Sequence, residues 1–318
     1  MHEHPENKRR WSRRIVLSTG GVGVVGAGAM IYQAAPGFWQ QYTSELRRPV
    51  HPSPKIPDPA KWPDKGLHAA WLGHSTVLMK IDGFTIITDP VFSTRAGLHL
   101  GPVTLGVKRL VEPALKIRDL PKMDLVLLSH AHMDHFDIPS LRRLENRSTV
   151  VVTASRTGDL LRVGQYAEVH EIGWGEEQRI GPATLKAVEV NHWGARLRTD
   201  TYRGYNGYLI QVGRYRVLFA GDTADTRKLT RIAGSKRLDM IIMPVGAYNP
   251  WVRFHCTPEQ AWRMSQEARA DLFFPVHHST FQLSREPVAE PLERLHTAAG
   301  PEERRILIHE IGQEFHLS

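Results

Sequence analysis

Six consecutive residues, His130-Ala131-His132-Met133-Asp134-His135, bring three imidazoles and a carboxylate into one short stretch. Zinc takes nitrogen from His and oxygen from Asp, so the composition is that of a metal site. His130 and His132, two apart, can face one ion together. Asp134 and His135 are turned by the start of the next element toward a second position, and one ion could not conveniently use all four. The bland alternative is a polar loop whose histidines merely titrate. It would win for a lone histidine and loses for H-x-H-x-D-H.

The chain must hold these groups rigidly. Met123-Asp124-Leu125-Val126-Leu127-Leu128-Ser129 reads as a buried strand, so the cluster sits at a strand end, where scaffolds present reactive groups. Three later apolar runs end the same way: Val188-Glu189-Val190-Asn191-His192, Leu218-Phe219-Ala220-Gly221-Asp222 and Phe274-Pro275-Val276-His277-His278. Together they complete a site for two ions. Other short runs rich in β-branched residues predict strands at 69–72, 76–81, 84–88, 149–153, 184–190, 207–212, 216–220, 240–245, 272–276 and 306–308. Helical patterns begin near Asp137, with Pro139 in the first turn, and at Thr257-Pro258-Glu259-Gln260, where Thr257 and Gln260 can form a capping box. A third runs from about Val288 to Ala299 and stops at Gly300. With no repeat of fixed period, this order predicts an α+β domain in which two mixed sheets are sandwiched between helical layers.

The ligand series H-x-H-x-D-H, a later His, A-G-D-T and a final V-H resembles that of the metallo-β-lactamase superfamily. Within it, Trp71–Leu78 (W-L-G-H-S-T-V-L), Thr88–Ala96 (T-D-P-V-F-S-T-R-A), Pro244–Trp251 (P-V-G-A-Y-N-P-W), His255–Ala261 (H-C-T-P-E-Q-A) and Val276–Phe281 (V-H-H-S-T-F) resemble the N-acyl-phosphatidylethanolamine-hydrolysing phospholipase D group. The likeness runs from about Leu67 to Phe281. It implies the four-layer αββα sandwich and two Zn2+ ions, with Fe or Mn accepted by the same donors. It further implies that His130, His132 and His192 hold the first ion, that Asp134, His135 and His277 hold the second, and that Asp222 bridges them. His277 is preferred to His278 because it occupies the histidine position of V-H-x-x-T-F. Asp89 fits the carboxylate that orients a ligand imidazole. His74 and Tyr248 are expected to line a substrate pocket. His255, just before the Thr257 cap, is placed to receive a phosphate or protonate a leaving group, and joins Asp134 and Asp222 as a candidate catalytic residue.

Over 318 residues, 41% are hydrophobic and 23% charged, an ordinary globular composition. The net charge of +8 invites a nucleic-acid reading, yet residues 1–29 hold five Lys/Arg against two acidic residues and so carry +3 of it. The remaining positive charges lack the aromatic interleaving of a single-strand groove, which excludes nucleic acid as the expected partner. Peripheral contact with anionic lipid is the secondary expectation. Cys256 is the sole cysteine, so no intramolecular disulfide forms; with seven ligands already proposed it reads as a packing residue. Residues 1–29, with Ser12-Arg13-Arg14-Ile15-Val16-Leu17, five glycines between Ile15 and Ile31, and Ala27-Gly28-Ala29, resemble a twin-arginine export signal or an N-terminal anchor. That predicts the periplasm or the periplasmic face of the inner membrane. Residues 30–66 are expected to form a proline-rich linker or strap, and 67–318 the hydrolase domain.

The expected activity is a two-metal phosphodiesterase acting on a phospholipid, with a metal-bridging hydroxide as nucleophile. No G-x-S-x-G elbow or P-loop offers another route. A lactonase or other ester or amide hydrolase on the same site is the alternative, ahead of an iron oxidoreductase or a non-catalytic metal-binding module.

Overall fold

The computed structural model describes residues 36–318, apart from 102, 198, 233 and 235. The stretch 1–29, expected to be an export signal or an anchor, lies outside the described residues. The chain divides at Arg48/Pro49. In the first unit the described part is a helix, α1 (Pro36–Leu46). This corrects the expectation of an extended linker over 30–66. The breakers Pro49, Pro52, Pro54, Pro57, Pro59 and Pro63 all follow the helix, whereas Pro36 stands at its first position, where a missing N–H costs nothing. Residues 49–66 belong to the second unit as a strap. His51 N donates to Leu110 O (2.8 Å), Lys55 N to Ile311 O (3.2 Å) and the Trp62 indole to Glu314 (2.6 Å).

The strands of the second unit, in chain order, are β1 (Leu67–Gly73), β2 (Thr76–Ile81), β3 (Phe84–Thr88), β4 (Arg95–Leu100), β5 (Val103–Lys108), β6 (Leu125–Leu128), β7 (Val150–Ala154), β8 (Glu168–Ile172), β9 (Glu177–Ile180), β10 (Ala183–Val188), β11 (Gly207–Val212), β12 (Tyr215–Phe219), β13 (Leu238–Pro244), β14 (Ala270–Val276) and β15 (Glu314–Leu317). One sheet runs β15-β1-β2-β3-β6-β7-β8, the other β14-β13-β12-β11-β10-β9, and β4-β5 form a separate hairpin. Both large sheets are mixed. Pairing is parallel from β3 through β6 and β7 to β8 and from β12 through β13 to β14, and antiparallel elsewhere. The main core, including Trp71, Met79, Ile86, Leu127, Tyr208 and Phe219, holds the sheets together. A second core, including Ile241, Met243, Trp262, Met264 and Leu295, seats the later helices on the second sheet. Each large apolar side chain fully withdrawn from water contributes about 1.5–3 kcal/mol.

The expected sandwich of mixed sheets forms, with few helices: α2 (Ile138–Arg143), α3 (Pro258–Glu267) and α4 (Glu290–Ala299). The capping box of α3 forms as read, Thr257 accepting from Gln260 N and Gln260 accepting from Thr257 N. Of the five strands that sequence reading passed over, β4 and β5 form the separate hairpin and β8, β9 and β15 are edges of the large sheets. Their charged, half-exposed sequences manage an edge and mute the apolar signal. The run 306–308, expected as a strand, makes only an isolated bridge between Ile306 and Phe273. Among the described residues no helix is long and apolar enough to cross a membrane.

Candidate metal centre

β3 and β6 lie side by side and parallel, with Thr88 opposite Leu127. Their carboxyl ends therefore deliver Asp89 and Ser129-His130 to the same place. The second sheet does likewise: β12 leads to Asp222 and β14 to His277, with β13 between them. Ligands gathering at the carboxyl ends of parallel strands is the general rule for such sheets. Gly221 makes the turn before Asp222 feasible. Its φ is +60°, and a Cβ there would lie 2.8 Å from Asn206 O and from Ser129 Cβ. Asp89 (φ 33°), His74 (φ 51°) and His277 (φ 64°) take left-handed backbone as well, although none is glycine.

Three imidazole nitrogens converge first. His130 Nε2 lies 2.8 Å from His132 Nδ1, and His192 Nε2 lies 3.3 Å from that same Nδ1. A second group consists of His74, Asp134, His135 and His277. In it Asp134 Oδ2 is 3.0 Å from His74 Nε2, 3.5 Å from His277 Nε2 and 3.6 Å from His135 Nε2. Asp222 Oδ2 stands between the two groups, 3.1 Å from both His135 Nε2 and His277 Nε2 and 3.8 Å from His192 Nε2. All seven residues named from the sequence are thus brought together.

The donor set fits metal. His135 Nε2, His277 Nε2 and Asp222 Oδ1 are buried without a hydrogen-bond partner. Such atoms cost about 1–3 kcal/mol each when nothing takes their lone pair or proton. The charge balance points the same way. Burial opposes ionisation of Asp222, but the positive His135 and His277 outweigh it and hold the carboxyl well below the usual range. Burial likewise lowers His277, yet Asp222 and Asp134 overcome it and raise the imidazole to about 9. The two carboxylates therefore draw positive charge into a largely buried site.

The surroundings fix the donors. Asp89 Oδ2 meets His135 Nδ1 at 2.7 Å, while its other oxygen accepts from Ser129 N at 2.7 Å. Ser129 Oγ donates to Asp89 Oδ2 (2.5 Å) and lies 2.8 Å from His130 Nδ1. One carboxylate thus orients two imidazoles, one of them through a hydroxyl. Arg196, which sequence reading did not single out, donates to Ala131 O (3.0 Å) and Phe136 O (2.8 Å), spanning the ligand loop.

Four expectations change or sharpen. His278 turns away from the carboxylates: its Nδ1 meets Ser279 Oγ at 2.9 Å and its ring packs on Trp71, with centroids 4.5 Å apart. His74, expected to line the substrate pocket, is instead buried against Asp134, because the left-handed turn after β1 directs it inward. Tyr248 also leaves the pocket. Its hydroxyl donates to Glu290 (2.7 Å) and Arg294 lies over its ring at 4.8 Å, so an ion-pair partner on α4 holds it. His255 does face the centre, with Nδ1 3.8 Å from Asp222 Oδ2, and burial lowers its pKa to about 4, favouring the neutral imidazole.

A cleft of about 260 Å3 opens above the ligands. His132, Asp134, Asp222, His255 and His277 contribute to its lining, as do Trp193, Trp251, Phe254 and Leu283. The aromatic wall was missed by sequence reading. Its signal was present in Trp193 directly after a ligand and in W-V-R-F-H before the α3 cap, where large apolar residues stand in loops without a strand or helix period. The rings form a continuous face, Trp193 packing on His132 (4.6 Å) and on Phe254 (6.0 Å).

Residues 85–278 match the model of the beta-lactamase superfamily domain. The chain belongs to the metallo-β-lactamase superfamily. An uncharacterized protein of Mycobacterium bovis is 31% identical over 275 residues, spanning 84% of this chain and 73% of its own. The N-acyl-phosphatidylethanolamine-hydrolyzing phospholipase D 1 of Caenorhabditis elegans is 30% identical, covering 73% of this chain and 69% of its own length. Among solved structures, the isothiocyanate hydrolase from Delia radicum gut bacteria superposes with a TM-score of 0.64 at 16% identity, over 79% of this chain and 99% of that one, a likeness of fold alone. Superfamily membership and the donor clusters together make this protein a metal-dependent hydrolase.

Proposed function

We propose that this metallo-β-lactamase-fold hydrolase cleaves the phosphodiester bond of a phospholipid, adding water across the bond to the headgroup alcohol and releasing phosphatidate and an N-acylethanolamine-type alcohol. The observation that carries this reading is the pairing of a carboxylate-and-imidazole floor with a wall of Trp193, Trp251 and Phe254 in one cleft. A phosphoryl group needs the first and acyl chains the second. The sequence likeness to a named phospholipase D supports it.

His130, His132 and His192 would hold one zinc ion, and Asp134, His135 and His277 the other, with Asp222 shared. Zinc there would supply Lewis-acid neutralisation of the phosphoryl oxygens and water activated for attack on phosphorus. Asp89 keeps a proton on His135 Nδ1, so that Nε2 faces the centre as a lone pair. Neutral His255, at the cleft wall beside Asp222, offers one ring N–H to a phosphoryl oxygen. The aromatic wall excludes water from the chains and orients the headgroup downward.

Zinc-loaded protein assayed on N-acyl-phosphatidylethanolamine vesicles in 18O water should release phosphatidate carrying the label, the mark of attack at phosphorus. Turnover of an acyl-homoserine lactone with none of any phosphodiester would replace this reading with a carbonyl hydrolase on the same site. The proposed setting, the periplasmic face of the inner membrane, is supported by the Arg13-Arg14 signal. Arg13→Lys with Arg14→Lys should retain the protein in the cytoplasm, and unimpeded export would remove that setting.

A further inference from the structure

Arg109, directly after β5, is a buried cation with no carboxylate in contact among the described residues. Its side chain is only 1% exposed. Nε donates to Ser93 O (3.0 Å), Nη1 to Val111 O (3.2 Å) and Nη2 to Val91 O (2.8 Å). Three of the five guanidinium N–H groups are thereby used, and all on neutral acceptors. Holding a charge in such surroundings is costly unless a counter-charge comes close. Its burial shows in a pKa lowered to about 10, against weak opposing pulls from Asp137 and Glu112.

Arg109 is also among the lining residues of a cavity of about 250 Å3. Lys116 and Arg143 also line it and are exposed, and neither makes an ion pair among the described residues. Glu112 is the only acidic residue in the lining, so three cations face one carboxylate and the cavity carries a net charge of about +2. Phe92, Leu115 and Ile117 supply an apolar side. The cavity shares no lining residue with the metal-centre cleft. The two regions meet at Phe281, whose ring takes Arg109 at 5.1 Å and touches His74 at 5.2 Å.

We propose that this cavity binds a phosphomonoester dianion, its oxygens on the exposed Lys116 and Arg143 over the buried charge of Arg109 and its carbon body against Phe92, Leu115 and Ile117. The charge of a dianion matches the lining, and guanidinium groups suit phosphate geometry. A soluble phosphate ester and the headgroup of phosphatidate present the same chemistry. The inference does not depend on the reaction proposed for the metal centre.

Two measurements on the zinc-loaded full chain test it. Co-crystals with tungstate should show an anomalous peak in the cavity between Lys116 and Arg143, whether or not tungstate also occupies the metal centre. In solution, sn-glycerol 3-phosphate titrated calorimetrically, and vesicles of phosphatidylcholine with and without phosphatidate, are compared between the wild type and Lys116→Gln/Arg143→Gln. Both residues are at the surface, so the variant should keep its melting temperature. Loss of two charge-assisted contacts should weaken binding at least tenfold. A loss for glycerol phosphate marks a soluble ligand, and a loss confined to phosphatidate vesicles marks a lipid headgroup. Tungstate confined to the metal centre, or affinities unchanged in both arms, overturns the proposal.

Discussion

Asp89 Oδ2 and His135 Nδ1 meet at 2.7 Å with both side chains wholly withdrawn from solvent. The contact fixes which imidazole nitrogen carries the proton and which is left for a metal. Asp89→Asn preserves the shape but removes the anionic acceptor. Zinc affinity measured by chelator competition should fall by about 10–100-fold. Ser129→Ala, which breaks only the relay to His130, should cost less. An Asp89→Asn protein with wild-type affinity would detach Asp89 from the centre.

The position of Asp222 between two donor groups makes stoichiometry the next measurement. After zinc supplementation and dialysis, the wild type should retain two zinc ions per chain, and Asp222→Ala should retain fewer and lose at least about a hundredfold in turnover. Wild-type protein holding one ion or fewer, or an undiminished Asp222→Ala, would defeat the two-metal mechanism.

Arg196 ties Ala131 to Phe136 across the ligand loop. Arg196→Met keeps the aliphatic stem and removes two charged donors, so the fold should lose about 2–4 kcal/mol by denaturant unfolding. Because the loop carries four ligands, zinc affinity should fall with it. Full affinity in the variant would reduce Arg196 to a general stabiliser.

His278 provides a pH test. Burial lowers its pKa from 6.5 to about 3, so the unfolded chain takes up a proton here that the folded protein refuses. The associated stability is complete above pH 6.5 and is withdrawn as pH falls toward 3, at about 1.4 kcal/mol per unit. His278→Asn, which does not titrate in this range, should show a flatter decline in metal-free unfolding between pH 7 and pH 5. Equal slopes would mean that His278 becomes charged without cost.

Trp251 and Phe254 stand half-open at the cleft, 50% and 37% exposed. If they receive acyl chains, replacing both with Ala should raise KM for a vesicular phospholipid by about tenfold or more, leaving a small soluble phosphodiester nearly unaffected. Parallel losses on both substrates would show that the wall supports the site rather than the lipid.

Much of the centre was legible because metal ligation demands particular donor atoms at strand ends, and strands such as Thr76–Ile81 and Gly207–Val212 announce themselves by buried β-branched runs. The destinations of His74 and Tyr248 were not legible. Each depends on a turn direction or a partner from another element, Asp134 in one case and Glu290 in the other. Trp193 and Trp251 escaped for a related reason, since a loop residue has no period to reveal which way it points. The edge strands β8, β9 and β15 carry the charges that keep edges from pairing with other chains, and those charges hide them.

The left-handed turns at His74, Asp89 and His277 bear on how this protein can be altered. An ordinary residue gives up roughly 1–2 kcal/mol in that conformation, which glycine largely avoids. Glycine at any of the three would relieve that strain and at the same time strip out buried contacts, Asp89 with Ser129 and His135 or His74 with Asp134, so the corner and the centre cannot be improved separately. The same side chains that gather at the centre also hold its three corners in a backbone form they would not otherwise choose.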